Sequence, residues 1–590
     1  MGENPKIVNS LSFVKSTLYY ERRNSVMKKV SSSKRVFLGL FVSLWLLAGF
    51  SVACWAQNPG VLVIAHGSPS EAWNQPVRDT VAQVSLAYPV ELAFLEFVPD
   101  EGVQDAVDRL EAQGVDEIIV AVVCFISSHS SHIEEIKYIL GLPYDTEVVD
   151  EEALAEEGLF PIESDAEFIL TSALDDHPII AHVLCDKARE LSTNPSEEIV
   201  VITGHGAAGE NLAKWSENME SLAARMKWEL GVKDVRHSYV FPSREPYLGD
   251  VVKEAASEAE VIVIPLMISE GFFTDMYIPM QLTGLSYMYN GEALAPHPGF
   301  ARWIELSALK ALVELPPILI DSEEITLAKV REPEPLCCCR VATFRVCQEA
   351  FNLLWEDEIP QSDDTYYVIS SHPSNGHREA FDYITKAVTR GDYELDIPEG
   401  TSTAKLTMEN YTYGFIRKPT GDATTLHMKR EVFPERFLEF RNWIRPMKKA
   451  GTATPAQIKA FMSAKQHFID RIITAEDPFY EIEVDVDIKP SSFPNSINLK
   501  SKGKIPVAVL SDPGFDATAI DPGTVVFANI CPLPIGESLE DVNGDGLLDV
   551  VFHFETQDVN LKLDDTEGCL SGKTLSGEKF WGCDSVRIIK

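Results

Sequence analysis

The chain writes one pattern twice. Val61 to Gly67 reads VLVIAHG and Ile199 to Gly206 reads IVVITGHG, each a short apolar run that stops on a His-Gly turn. An apolar run of this length without polar alternation fits a parallel strand buried on both faces. The histidine then stands at the strand's C-terminal end, where open α/β sheets place their reacting groups. His66 and His205 lie 139 residues apart, Phe125-Ile126-Ser127 returns as Met267-Ile268-Ser269 at an offset of 142, and Gly141-Leu142 as Gly284-Leu285 at 143. A chance dipeptide would not carry its neighbours with it, so the expectation is a duplicated α/β unit.

Within the first copy the pattern predicts strands over 61–65, 93–97 and 118–125, with helices over 75–87 and 101–113. That alternation implies a parallel sheet with helices on both faces. His66, Glu96 and His132 then fall at the ends of three successive strands or in the loops that follow, with His129 nearby. Two neutral imidazoles and a carboxylate suit Co²⁺, Ni²⁺, Fe²⁺ or Zn²⁺, and the pattern does not choose among them. Taken singly, each has a plainer role, the histidines as turn or cap residues and Glu96 as an edge carboxylate.

His66-Gly67-Ser68, Phe94-Leu95-Glu96-Phe97 and the loop from Phe125 to Glu135 (FISSHSSHIEE) resemble the class II tetrapyrrole chelatases, in particular sirohydrochlorin cobaltochelatases of the CbiX and CbiK type. The resemblance spans residues 58 to 312. It implies two tandem doubly wound parallel-sheet lobes, and metal binding and catalysis by His66, Glu96 and His132; His129 is a further candidate ligand, and Ser68, Phe272 and Phe273 are candidates for the substrate side. It also implies a tetrapyrrole and a divalent cation, Co²⁺ or else Ni²⁺ or Fe²⁺, as substrates joined without ATP. The macrocycle must lose two pyrrole protons as the cation enters, which calls for a neutral imidazole and a carboxylate.

The second copy keeps His205, but its second strand reads Ser238-Tyr239-Val240-Phe241 without a carboxylate, and Phe273 stands about where the second histidine would be. The expectation is one metal site, in the first lobe, with Phe272, Phe273, Met276 and Tyr277 either lining a cleft or packing a core. Between the copies, residues 151–196 read as an acidic linker or insertion. His177 and His182 within it are metal-collecting ligands or simply exposed polar residues.

With 90 acidic against 51 basic residues, a net charge of −39 argues against nucleic acid as a partner. Residues 1–56 read as an export signal: Lys28, Lys29, Lys34 and Arg35 precede the apolar run from Val36 to Ala53, and translation starting at Met27 would give it the usual form. An uncleaved anchor or a lipidated Cys54 would instead tether the chain to a membrane. Each reading places the protein outside the cytoplasm, in the periplasm or cell envelope, where disulfides are permitted.

The first lobe is assigned to 57–150, the second to 197–315, an α+β region to 316–480 and a β-sandwich-like module to 481–590. Cys337, Cys339, Cys347, His372 and His377 form a candidate second metal set in the α+β region. The alternative for the cysteines is disulfide pairing or buried thiols. This region weakly resembles a component of formylmethanofuran dehydrogenase. In the last module, Asp541, Asn543, Asp545 and Asp549, with Gly546 at the sixth position, have the spacing of a calcium loop. Cys569 and Cys583 are expected to pair. The functional expectation is a chelatase, and its rival is an exported carrier that binds metal or tetrapyrrole without turnover.

Overall fold

Alternate residues of the two leading strands face opposite ways into separate apolar layers, and that alternation organises the first three hundred residues. The computed structural model describes residues 58–589 apart from 208, 242–243, 322, 356–357, 362–365, 529–533 and 564. The export signal, Cys54 and Cys531 therefore lie outside the described residues. In the first lobe β1 (Gly60–Ala65), β2 (Val90–Phe94), β3 (Ile118–Cys124) and β4 (Glu167–Leu170) form a parallel sheet in the order β2-β1-β3-β4. In the second, β5 (Glu198–Gly204), β6 (Asp234–Tyr239) and β7 (Glu260–Leu266) repeat the arrangement as β6-β5-β7. In both, the chain leaves the first strand to one side and returns on the other, which opens a crevice at the strands' C-terminal ends.

Leu62 and Ile64 point into one apolar layer with Ile119, Ala121 and Val123. Val61, Val63 and Ala65 point the other way, into a core they share with Val200 and Ile202 of β5. The helices Pro178–Leu191 and Pro298–Leu312 contribute Ile180, Leu184, Phe300 and Trp303 to that shared core. The two lobes therefore have one common interior, and Phe300, fully buried there, packs for both. Phe300→Ala is expected to cost about 3–5 kcal/mol and to weaken both lobes in one transition. Chemical denaturation followed by tryptophan fluorescence would check this, and two separated transitions would contradict a shared interior.

The stretch 151–196, expected as a linker or insertion, is corrected by the structure. It supplies β4, which extends the first sheet beside β3, and the helix Pro178–Leu191 in the shared core. Its acidic half hid a short strand whose apolar residues Phe168, Ile169 and Leu170 are too few to show periodicity. Each lobe closes on the same device: His177 before Pro178, and His297 before Pro298, cap their helices by accepting the amide protons of Ile179 and Gly299. His177 is thus a cap rather than a metal collector, and His182 is held by Glu229 at 2.7 Å and Glu435 at 3.1 Å.

Beyond the lobes, a five-stranded mostly antiparallel sheet is packed by the helices Cys338–Trp355, Asn375–Thr385, Phe437–Ala450 and Pro455–Thr474. The last module is a sandwich of two four-stranded sheets around Val507, Phe527, Phe552 and Leu570. Cys569 and Cys583 form a disulfide between neighbouring strands of one sheet. Lys562 of the module reaches back to the Gln83 carbonyl at 2.7 Å. Among the described residues no helix is long and apolar enough to cross a membrane.

Candidate metal centre

Strand β2 stops at Phe94, three residues short of the apolar run that suggested it, and the turn that follows builds the site. Leu95 and Glu96 donate their backbone N–H groups to the carbonyls of Ala65 and His66 at 2.8 and 2.9 Å, so the carboxylate-bearing residue is tied to the histidine-bearing one. Phe97 then takes a left-handed conformation (φ 66°). Gly67 is also left-handed (φ 87°), and a Cβ there would stand 2.2 Å from the Glu96 carbonyl oxygen. Gly67→Ala is expected to push the Glu96 turn outward at a backbone cost of about 1–3 kcal/mol. It would show as weakened Co²⁺ binding with little change in far-ultraviolet circular dichroism.

His66, Glu96 and His132 each present one ligand atom, and the three atoms lie within 4.8 Å of one another. The ring centroids of His66 and His132 are 4.8 Å apart, nearly perpendicular. His66 Nδ1 lies 2.9 Å from the Gly67 carbonyl. A carbonyl only accepts, so Nδ1 carries the proton and Nε2 keeps its lone pair. His132, on the first turn of the helix Ser131–Ile139, has Nδ1 2.7 Å from Glu135 Oε2. That bond fixes the same tautomer and leaves Nε2 free. Burial works against a charge on His132, but the Glu135 carboxylate, helped by Glu96 and Glu157, outweighs it and holds the imidazole pKa above its usual value. Two oriented imidazole nitrogens and a carboxylate oxygen at this spacing can take up one borderline divalent cation.

Three supporting residues escaped the sequence reading. Glu135 belongs to a His-x-x-Glu spacing, which on a helix puts both side chains on one face. Asn74, almost wholly buried, accepts the Ser68 amide at 3.0 Å and donates to the Ser68 carbonyl at 2.9 Å, clamping the His66 turn. Asp175 accepts from the Ser128 amide and hydroxyl at 3.0 and 2.6 Å and from Asn218 at 2.9 Å, anchoring the His132 loop to the second lobe. No local motif marks Asn74, which binds only the backbone of Ser68, and the partners of Asp175 come from other segments.

The remaining expected site residues lie outside this group. His129 is not part of the converging group. Ser68 Oγ accepts the Ser70 amide at 3.1 Å, a turn role. Phe273 packs against His205 and Phe241, while Phe272 is 61% exposed beside it.

The second lobe repeats the frame with its chemistry removed. Val240 donates to the Gly204 carbonyl as Leu95 does to Ala65, which puts Phe241 where the first lobe has Glu96. His205, bound through Nδ1 to the Gly206 carbonyl at 3.1 Å, faces Phe241 and Phe273 at 4.7 and 5.3 Å. Burial lowers its pKa, and the charges of Arg244, His132 and His66 add to that. The Ser269 hydroxyl donates to the Trp73 carbonyl at 2.7 Å, which brings the loop after β7 against the helix that follows β1. Phe97, 5.9 Å from His66 by ring centroids, and Phe272, beside Phe273, are 55% and 61% exposed, and Met276 is 64% exposed.

In the α+β region Cys339, His372 and His377 converge within 4.8 Å. Cys347 lies apart, buried in the apolar core of its helix, and Cys337 is outside the converging set. In the acidic loop the side chains turn onto the backbone. Asp541 accepts from Gly544 and Gly546, Asn543 from Asp545, and Asp545 from Leu547. Asp549 is fully buried and accepts the Ser511 and Val542 amides at 2.8 Å each. It is therefore a structural cap in this conformation, because its position at the start of a strand turns it inward.

Comparison with known proteins agrees with the duplication. The CbiX family model matches the chain twice, over residues 60–191 and 199–311. Among solved structures, SirB from Bacillus subtilis with Fe³⁺ is similar at 13% identity and a TM-score of 0.34, covering 43% of this chain and 95% of that one. SirB from Bacillus subtilis subspecies spizizenii in complex with cobalt is similar at 13% identity and a TM-score of 0.30, with the same 43% and 95% coverage. DR2241 from Deinococcus radiodurans, a multi-domain protein with structural similarity to chelatases, shares 15% identity at a TM-score of 0.33, covering 43% of this chain and 54% of that one. No curated protein matches the chain.

Proposed function

We propose, from the match of the CbiX family model to residues 60–191 and 199–311, that this protein inserts a divalent metal into a tetrapyrrole of the sirohydrochlorin type without ATP. The observation that carries the reading is the convergence of His66, Glu96 and His132 on one point. Co²⁺ is the proposed cation, with Ni²⁺ and Fe²⁺ as its competitors, since a His₂-carboxylate set serves all three.

The charge balance explains why these residues suffice. With the cation held by two neutral imidazoles and Glu96, the site carries one net positive charge. Transfer of the cation to the macrocycle releases two pyrrole protons. The imidazoles of His66 and His132, freed of metal, take one each, and the net charge of the protein site is unchanged. Glu135 favours the protonated form of His132 and so draws the exchange forward. Phe241 and Phe273, by replacing a carboxylate and a second imidazole around His205, leave the second lobe as an apolar wall for the macrocycle.

The full-length protein, given sirohydrochlorin and Co²⁺, should shift the macrocycle absorbance faster than the uncatalysed mixture. Tight binding of both substrates at the uncatalysed rate would make it a carrier. Export to the periplasm or envelope belongs to the same proposal, and the Cys569–Cys583 disulfide is consistent with an oxidising compartment. For the acidic loop, we keep Ca²⁺ as the proposed ligand of Asp541, Asn543 and Asp545. Added Ca²⁺ should raise the unfolding temperature, and an unchanged melt would leave the loop a plain turn.

A further inference from the structure

We propose that Cys339, His372 and His377 form a second, buried metal site that holds a thiophilic borderline cation of the Zn²⁺ class, separate from the cation handled between the lobes. It stands whether or not the lobes insert metal, because it rests on other residues in another domain.

The two imidazoles are 1% and 0% exposed and stack with centroids 3.9 Å apart. Each has one nitrogen engaged and one buried without a partner. His377 Nε2 meets the Tyr413 hydroxyl at 2.7 Å, whereas Nδ1 has no hydrogen-bond partner. His372 Nδ1 accepts the Ser374 amide at 3.2 Å, whereas Nε2 has none. Orphaned polar atoms in an apolar interior are uncommon because nothing offsets their desolvation. Here there are two, on facing rings, and one nitrogen of each ring lies within 4.8 Å of the Cys339 thiol and of the other.

Ser374 and Gly376 shape the surroundings. The Ser374 hydroxyl donates to Cys339 Sγ at 3.2 Å, a bond that steadies a thiolate. Gly376 has no Cβ, and one added there would stand 3.0 Å from Cys337 Sγ and 3.3 Å from Cys339 Cβ. The bare glycine lets the cysteine-bearing segment close onto the start of the histidine-bearing helix. Binding through His377 Nδ1 needs only that Nε2–H donate to Tyr413. Binding through His372 Nε2 moves that ring's proton to Nδ1 and gives up the Ser374 amide bond. A sulfur and two nitrogens suit Zn²⁺, or Co²⁺ in its place, and disfavour Mg²⁺ and Ca²⁺, which prefer oxygen.

The test uses the full-length His66→Ala protein, in which the site between the lobes is broken, titrated with Co²⁺ alone. It should take up a single equivalent with thiolate-to-cobalt charge-transfer absorption in the near ultraviolet, which a His-and-carboxylate site cannot produce. Adding Cys339→Ser should remove the band, and adding Cys347→Ser should leave it. Absence of the band, or its survival in the Cys339→Ser protein, overturns the proposal. Should that variant fail to fold, His372→Gln, which keeps every thiol, should take up Co²⁺ at least tenfold more weakly, and unchanged uptake would equally overturn it.

Discussion

Replacing His132 by alanine should lower kcat/KM for metal insertion by about two to four orders of magnitude, the usual worth of a positioned proton acceptor. It should also weaken Co²⁺ binding in the absence of tetrapyrrole, because the same imidazole is a ligand. The side chain is half-buried at the start of a helix and packs against His66 and Phe125 rings at 4.8 and 5.6 Å, so the fold has little stake in it. His205→Ala is the matched control. That imidazole sits in an equivalent turn but faces two phenylalanines, so its loss should cost far less. Steady-state rates with sirohydrochlorin and Co²⁺, beside metal titrations of both variants, decide the matter. Equal losses in the two would remove the distinction between the lobes.

The second large effect concerns Glu135, which touches no substrate. Glu135→Gln should reduce metal affinity about 10- to 100-fold, the range for losing a partner that orients a ligating histidine. It should also move the pH profile in a direction the structure fixes. In the native site, burial lowers the His132 pKa, but the hydrogen bond and charge of Glu135 outweigh it, with Glu96 and Glu157 adding to the rise, and the net pKa is above 6.5. A protonated imidazole cannot bind a cation, so insertion falls as pH drops through that raised value. The glutamine variant keeps the burial and loses the largest opposing influence. Its acid limb should therefore lie at lower pH than the wild-type limb, even though its plateau affinity is poorer. A Co²⁺-binding curve measured against pH for both proteins checks the sign, and an unmoved limb would show that Glu135 does not govern His132.

The parts of the architecture that the sequence disclosed were those with a physical period. The runs at Val61 and Ile199 are apolar at every position because both faces of each strand are covered, and that continuity is readable without coordinates. His66, Glu96 and His132 were legible for a related reason, since each follows such a run. What stayed hidden depends on contacts that no sequence period marks. Strand β4 is brief and lies in acidic sequence, so nothing local separates it from a linker. Asn74 and Asp175 act through backbone groups or side chains that no spacing rule joins to them. In the acidic loop the spacing is legible, but the inward turn of Asp549 onto the Ser511 and Val542 amides is not. In the cysteine-rich segment, composition marked the right neighbourhood, and only the convergence of Cys339 with His372 and His377 separated it from the other thiols.

The common interior of the two lobes carries a mechanical consequence. Hinge closure requires halves that can part along a polar seam, yet here Val63 and Val200 belong to one continuous apolar mass, and the Ser269 hydroxyl donates across the seam to the Trp73 carbonyl at 2.7 Å. The two lobes are therefore held as one packed body. On the proposed reading, change in macrocycle preference would be written in the exposed loops bearing Phe97, Phe272 and Met276, with the strands beneath left as a rigid anvil.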